Sequence, residues 1–205
     1  MSAAEKSFFR LLEERIASVK SLLCIGLDPR VSPGPGVQEK LLEANRRLIE
    51  ATADYTACYK PNIAFYEAHG PAGLEALKET LALIPKEIPV ILDAKRGDIG
   101  ATAEAYAAMA FDELGAGAIT LNPYMGRSSA EPFLARRGKG FFFLCRTSNP
   151  GAERLQELSV GSAGGDPLYL RVAAEVSDWS EDAGLVVAGN DPVSLEAVRR
   201  RFPRV

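Results

Sequence analysis

Phe8, Phe9, Leu12, Ile16 and Val19 recur at three- and four-residue spacing, which predicts an opening helix over Phe8–Val19. Beyond it, short apolar runs alternate with longer amphipathic ones. The runs at Leu22–Leu27, Ala57–Lys60, Val90–Lys95, Ala118–Leu121, Phe141–Cys145 and Leu185–Ala188 have the length of buried strands. Helical patterns occupy Gln38–Tyr55, Ala72–Ile84, Ala101–Leu114, Ser129–Arg136, Leu168–Asp182 and Pro192–Arg201, with a long loop ahead of Leu168. Six such alternations without a low-complexity linker predict right-handed βαβ units and a parallel sheet. Two architectures fit, an open doubly wound sheet and a (β/α)8 barrel. The first strand leads into Cys24-Ile25-Gly26-Leu27-Asp28-Pro29 and carries no GxGxxG fingerprint. Charged residues instead recur at the carboxyl ends of successive strands, where barrel enzymes build their sites. The expected fold is therefore an α/β chain of the (β/α)8 TIM-barrel type. About six of the eight units are readable, plus the leading helix, in one domain over 1–205 that lacks its C-terminal units.

A chain of 205 residues suits one domain, at roughly 150 residues each. Lys and Arg number 24 against 27 Asp and Glu, a formal charge of −3 that argues against nucleic-acid binding. With 47% apolar and 25% charged residues the composition is that of a globular protein. No apolar run approaches the ~20 residues of a membrane span. Met1–Lys20 carries too many charges for a signal peptide, so a soluble cytoplasmic protein with no membrane partner is expected. Cys24, Cys58 and Cys145 cannot close a disulfide framework and are expected to be buried, reduced thiols. The one histidine, His69, has no triad or metal partners in view and is given a structural role. HExxH, CxxC and Walker sequences are absent, and no metal site is expected.

The candidate chemistry lies at the strand ends. Asp28 closes the first strand and Lys60 the second, each followed by proline, and the third runs on through Asp93, Lys95 and Asp98. Side chains alternate along a strand, so Asp93 and Lys95 share a face opposite apolar Val90, Leu92 and Ala94. By the same parity Lys60 shares a face with Cys58, and Asp28 with Gly26 and Cys24. Opposite charges ~4 Å apart attract by roughly 4 kcal/mol at an effective dielectric near 20, so such a cluster holds itself ionised. An ion-pair network could simply plug a barrel, yet apolar replacement of such a network often costs nothing. Charges gathered in a cleft therefore point to function. Schiff-base chemistry needs a neutral amine, whereas Lys95 is flanked by Asp93 and Asp98 and is expected to be protonated. A protonated lysine among carboxylates suits proton donation to a carbanion, as in decarboxylation.

Four segments carry a resemblance. Asp93-Ala94-Lys95-Arg96-Gly97-Asp98-Ile99-Gly100-Ala101-Thr102 is similar to the signature of the orotidine 5′-monophosphate decarboxylase family. Tyr59–Glu67, Leu121–Gly126 and Arg146–Ala152 resemble its longer bacterial branch, in the same order along the chain. The resemblance implies a homodimeric, metal- and cofactor-free enzyme of pyrimidine biosynthesis acting on a nucleotide. Lys95 would protonate C6 of the pyrimidine, Asp93 would face the substrate carboxylate, and Lys60 would stand between the charges and the ribose. Asp28 would hold a ribose hydroxyl and Ser148 the pyrimidine ring, with Asn122 a further substrate contact. Asp98 and Thr102 would reach into the site of the other subunit.

Two departures accompany the match. Arg127 follows Gly126, where the branch usually has an acidic or small residue. The family's phosphate-gripping Gln and Arg, with a Pro-Gly-Val-Gly-Ala-Gln-Gly-Gly-like strand end, have no counterpart. Gly161-Ser-Ala-Gly-Gly165 reads as a mobile loop rather than a phosphate cradle, and Arg199–Arg201 as the cationic last turn of a helix. These 205 residues on their own are thus expected to decarboxylate poorly or not at all. The competing readings are a magnesium-dependent sugar-phosphate decarboxylase or aldolase with the same Asp-x-Lys-x-x-Asp strand, and a non-catalytic barrel fragment.

Overall fold

The structure, a computed structural model, describes residues 7–161 and 164–205. Its elements run α1 (Phe8–Val19), β1 (Cys24–Leu27), α2 (Val37–Thr52), β2 (Cys58–Pro61), α3 (Ala64–Glu67), α4 (Gly70–Leu83), β3 (Ile91–Arg96) and α5 (Gly100–Ala107). A π-helical stretch, Ala108–Glu113, continues α5. Then follow β4 (Ala118–Leu121), α6 (Glu131–Leu134), β5 (Gly140–Arg146), α7 (Glu153–Gln156), α8 (Leu168–Ser177), β6 (Ala183–Val187) and α9 (Pro192–Arg201).

Strands pair in chain order. β1 lies beside β2 in parallel, and β3, β4, β5 and β6 follow one another in a second sheet. Parallel bridges between Tyr59 and Val90 and between Asn62 and Asp93 carry the order from β2 to β3. An order that never reverses has no switch point, which separates this topology from the doubly wound sheet and matches a barrel.

Residue contacts divide the chain into two compact units. The first comprises the residues up to Ala94 with Ala107–Ile119 and Arg137–Gly140; the second comprises Lys95–Tyr106, Thr120–Arg136 and Phe141–Val205. In the first, Leu27, Ile49, Tyr59, Ile84 and Ile88 form a buried cluster. Here α1 docks through Phe8, whose ring fits because residue 140 is glycine: a Cβ there would come within 2.5 Å of a ring carbon. The second unit is built on Cys145, Tyr169, Leu170, Ala173 and Val198. Its last helix starts at Pro192, with Asp191 capping the Ser194 N–H at 3.1 Å, and ends on Arg199–Arg201. No helix among the described residues is long and apolar enough to cross a membrane.

Some sequence expectations change. Cys58 and Cys145 are buried but Cys24 is exposed, contrary to the expectation of three buried thiols. Ile25 and Leu27 pack into the first core, which turns Cys24 to the face it shares with Cys58, and among the described residues β1 has a strand neighbour on one side only, whereas β2 lies between β1 and β3. The short helix expected near Ser129–Arg136 is α6, confined to Glu131–Leu134, and two 3-10 turns, Pro123–Met125 and Arg127–Ser129, precede it. Arg127 stands on the surface 3.9 Å from Glu131. Of the loop Gly161–Gly165, residues 162 and 163 lie outside the described residues; its flanks are joined by an antiparallel bridge between Ser159 and Pro167.

Candidate active site

In the first unit, the end of β2 brings Lys60 beside Asp93 of β3, with Nζ 3.2 Å from Oδ2. The Asp93 side chain is 9% exposed and that of Lys60 33%. The ammonium offsets part of the hydration that a nearly buried carboxylate loses. The Asp93 carbonyl accepts the Ile63 N–H, fixing the strand where this pair stands. Asp28, one residue past β1, accepts the Asn62 N–H at 3.2 Å through Oδ1, and Asn62 in turn takes the Ala64 N–H through its own side chain. The strand end under Asp28 is held by a buried relay. Asn45 donates to Tyr66 and to Thr80, both at 2.9 Å, and the Tyr66 hydroxyl donates to the Leu27 carbonyl at 3.0 Å. Burial pushes the Tyr66 phenol well above its usual range, so it remains a donor.

In the second unit, Lys95 is exposed and adopts φ 49°, a left-handed conformation rare for a residue with a side chain. Its N–H donates to the buried Thr120 hydroxyl at 2.9 Å. Backbone strain of this kind is held in place by surrounding structure and concentrates at functional positions. The loop beyond is equally constrained: a Cβ on Gly97 would lie 2.8 Å from the Asn122 carbonyl oxygen, so only glycine passes there without displacement. Asp98 accepts the Ile99 N–H at 2.8 Å, and Thr102 is exposed in the first turn of α5. Asn122 follows β4 directly, and its side-chain oxygen accepts the Tyr124 N–H at 3.0 Å, which commits that atom to its own turn.

Ser148, two residues past β5, is exposed and lines a cavity of about 250 Å³ with Arg146, Thr147, Asn149, Asn190 and Asp191. Its neighbour Thr147 is clamped by Gln156, which accepts the Thr147 N–H and donates to its hydroxyl, each at 2.9 Å. Arg146 is buried and pairs with Glu157 at 2.8 Å and Asp191 at 3.2 Å. The Asp191 carboxyl is held below its usual range, chiefly by the Ser194 backbone N–H and hydroxyl and to a lesser degree by Arg146.

Lys60, Asp93 and Lys95 thus lie within β2 and β3, Asp28, Asn122 and Ser148 one or two residues past β1, β4 and β5, and Asp98 and Thr102 in the loop and first helical turn after β3; the structure pairs Lys60 with Asp93 directly. Sequence reasoning missed Asn62, Thr120 and Gln156 as supports. Only Asn62, between a proline and a helix, carried a local turn signal. Among the described residues no group of three or more His, Cys, Asp or Glu side chains could hold a metal ion.

A profile described as the orotidine 5′-phosphate decarboxylase / HUMPS family matches residues 21–205. The chain belongs to that family. Orotidine 5′-phosphate decarboxylase of Herpetosiphon aurantiacus is 48% identical over 205 residues, covering 97% of this chain and 76% of the relative. The enzyme of the same name from Thermomicrobium roseum is 50% identical over 204 residues, covering 96% and 72%. The solved structure of Leishmania donovani OMP decarboxylase superposes with a TM-score of 0.89 at 48% identity, covering 96% of this chain and 76% of that one. The family fold is the TIM barrel, in keeping with the sequential parallel strands. The chain spans about three quarters of the length of these decarboxylases.

Proposed function

We propose that the protein is a carboxy-lyase that converts orotidine 5′-monophosphate to uridine 5′-monophosphate and carbon dioxide, a step of pyrimidine nucleotide synthesis. The observation that carries the reading is the Lys60–Asp93 pair at 3.2 Å, followed on the same strand by the strained Lys95. In the reaction the bond between C6 and the carboxylate carbon breaks and its electron pair stays on C6. Asp93, kept anionic by Lys60, faces the departing carboxylate. The Lys95 ammonium stabilises the developing negative charge and gives C6 its proton. Asp28 takes a ribose hydroxyl, and Ser148 and Asn122 contact the base. The chemistry needs no electron sink beyond these charges, so metal and organic cofactor are left out of the scheme.

The protein is further proposed to act as a homodimer, with Asp98 and Thr102 serving the partner's site. Exposed Ile99, Tyr124 and Met125 support this, because apolar side chains left uncovered on neighbouring loops suit an interface. The relatives named orotidine 5′-phosphate decarboxylase favour this substrate over sugar phosphates. The test is to incubate the purified protein with orotidine 5′-monophosphate in D2O with excess chelator and read the product by NMR. Uridine 5′-monophosphate carrying deuterium at C6 is expected. Activity that appears only when magnesium is restored would move the protein to the sugar-phosphate branch.

A further inference from the structure

Cys24 and Cys58 are register partners on the parallel strands β1 and β2. In-register neighbours on adjacent strands have Cα atoms ~5 Å apart and side chains on the same side of the sheet. That spacing falls inside the window of about 4.4–6.8 Å that a disulfide bridges. The environments of the two thiols differ: Cys24 is exposed, Cys58 is buried, and Lys60 acts on both. The Cys58 S–H and the Lys60 ammonium favour the Cys24 thiolate, while hydrogen bonding to Cys24 and burial keep Cys58 protonated. An accessible nucleophilic sulfur with a resolving thiol beside it is the arrangement of a two-cysteine oxidation site.

We propose that Cys24 and Cys58 are a reversible oxidation site for hydroperoxides, closing to a disulfide beside Lys60. The Cys24 thiolate attacks the peroxide O–O bond. An S–O bond forms, the O–O bond breaks, and the leaving oxygen takes a proton to depart as water or an alcohol. The Cys58 sulfur then attacks the sulfenic sulfur, the S–S bond forms, and the S–O bond breaks with loss of water that carries the Cys58 proton. Both sulfurs are oxidised and one peroxide is reduced. The bridge is readily reversed, since its Cys24 sulfur is open to a reductant. Cys58 lies two residues before Lys60 on one strand face, so the bridge alters the surroundings of the Lys60–Asp93 pair. Cys145, buried with its thiol pushed up to about 12 in a different unit, serves as the inert internal control.

The test is independent of any activity. The protein is treated with hydrogen peroxide, denatured, and its thiols are counted and mapped by mass spectrometry, with Cys24→Ser and Cys58→Ala in parallel. The expected result is a fall from three thiols to one, a Cys24–Cys58 cross-linked peptide lighter by two hydrogens, and full recovery with dithiothreitol. Cys24→Ser should keep Cys58 reduced, and Cys58→Ala should stop at a sulfenic acid on residue 24. Three thiols surviving in the wild type, or a bridge only between two molecules, would overturn the proposal. Where the decarboxylation assay reports turnover, oxidation should lower it and reductant restore it.

Discussion

Replacing Asp93 and Lys60 singly and together separates a pair kept for chemistry from one kept for stability. At 3.2 Å and an effective dielectric near 20, their attraction is about 5 kcal/mol before desolvation is subtracted. Removing one partner from a fully buried pair costs about 3–5 kcal/mol, because the other charge is left uncompensated. The two singles should differ here. Lys60→Met strands a carboxylate that is only 9% exposed and should cost about 3 kcal/mol. Asp93→Leu strands an ammonium that is one third exposed and should cost about 2 kcal/mol. In a chain of this length those losses lower Tm by roughly 2–4 °C per kcal/mol. The double variant Lys60→Met/Asp93→Leu leaves no buried charge and should lie within about 1 kcal/mol of the wild type. Its coupling energy in the double-mutant cycle would then be several kcal/mol. Urea unfolding of the four proteins measures all of this, and an orotidine 5′-monophosphate assay beside it should find turnover lost in every variant. Additive losses, with the double the least stable of the set, would refute the reasoning and make the pair a structural device.

Lys95→Gly should remove the left-handed strain and raise stability by about 1 kcal/mol in thermal unfolding while losing turnover. Gly97→Ala should destabilise by about 1–3 kcal/mol, because its Cβ meets a backbone carbonyl rather than a movable side-chain end; a Tm at the wild-type value would contradict the close approach. Asp191→Ala removes a helix cap and should cost about 1 kcal/mol at neutral pH. The folded-state Asp191 carboxyl titrates below its ordinary value, so its contribution is present above about pH 4 and lost as pH falls through the folded pKa. The stability gap between wild type and Asp191→Ala should therefore narrow in acid.

Much of this fold was legible because local and tertiary preferences agree. The helices at Phe8–Val19 and Pro192–Arg201 match the sequence reading to the residue, one set by a regular apolar stripe and the other by an Asp-Pro start. What escaped depends on distant partners. The short helix α3 rests on Tyr66 reaching Asn45 and Leu27, and no local pattern marks it. The left-handed Lys95 is invisible in sequence, since lysine has no preference for that region, and a regular strand is the natural assumption. The charged strand ends could be read from alternation alone. The hydrogen bonds that hold them, from Lys95 to Thr120 and from Gln156 to Thr147, require the folded chain.

Proton donation by Lys95 is tested most directly by turnover of orotidine 5′-monophosphate, followed by loss of its absorbance for the wild type and Lys95→Ala in excess chelator. The wild type should convert the substrate undisturbed by the chelator, and the variant should be slower by at least ~10³-fold, about 4 kcal/mol of transition-state stabilisation. A variant that keeps more than about a tenth of the wild-type rate, a loss under ~1.4 kcal/mol, would contradict the assignment.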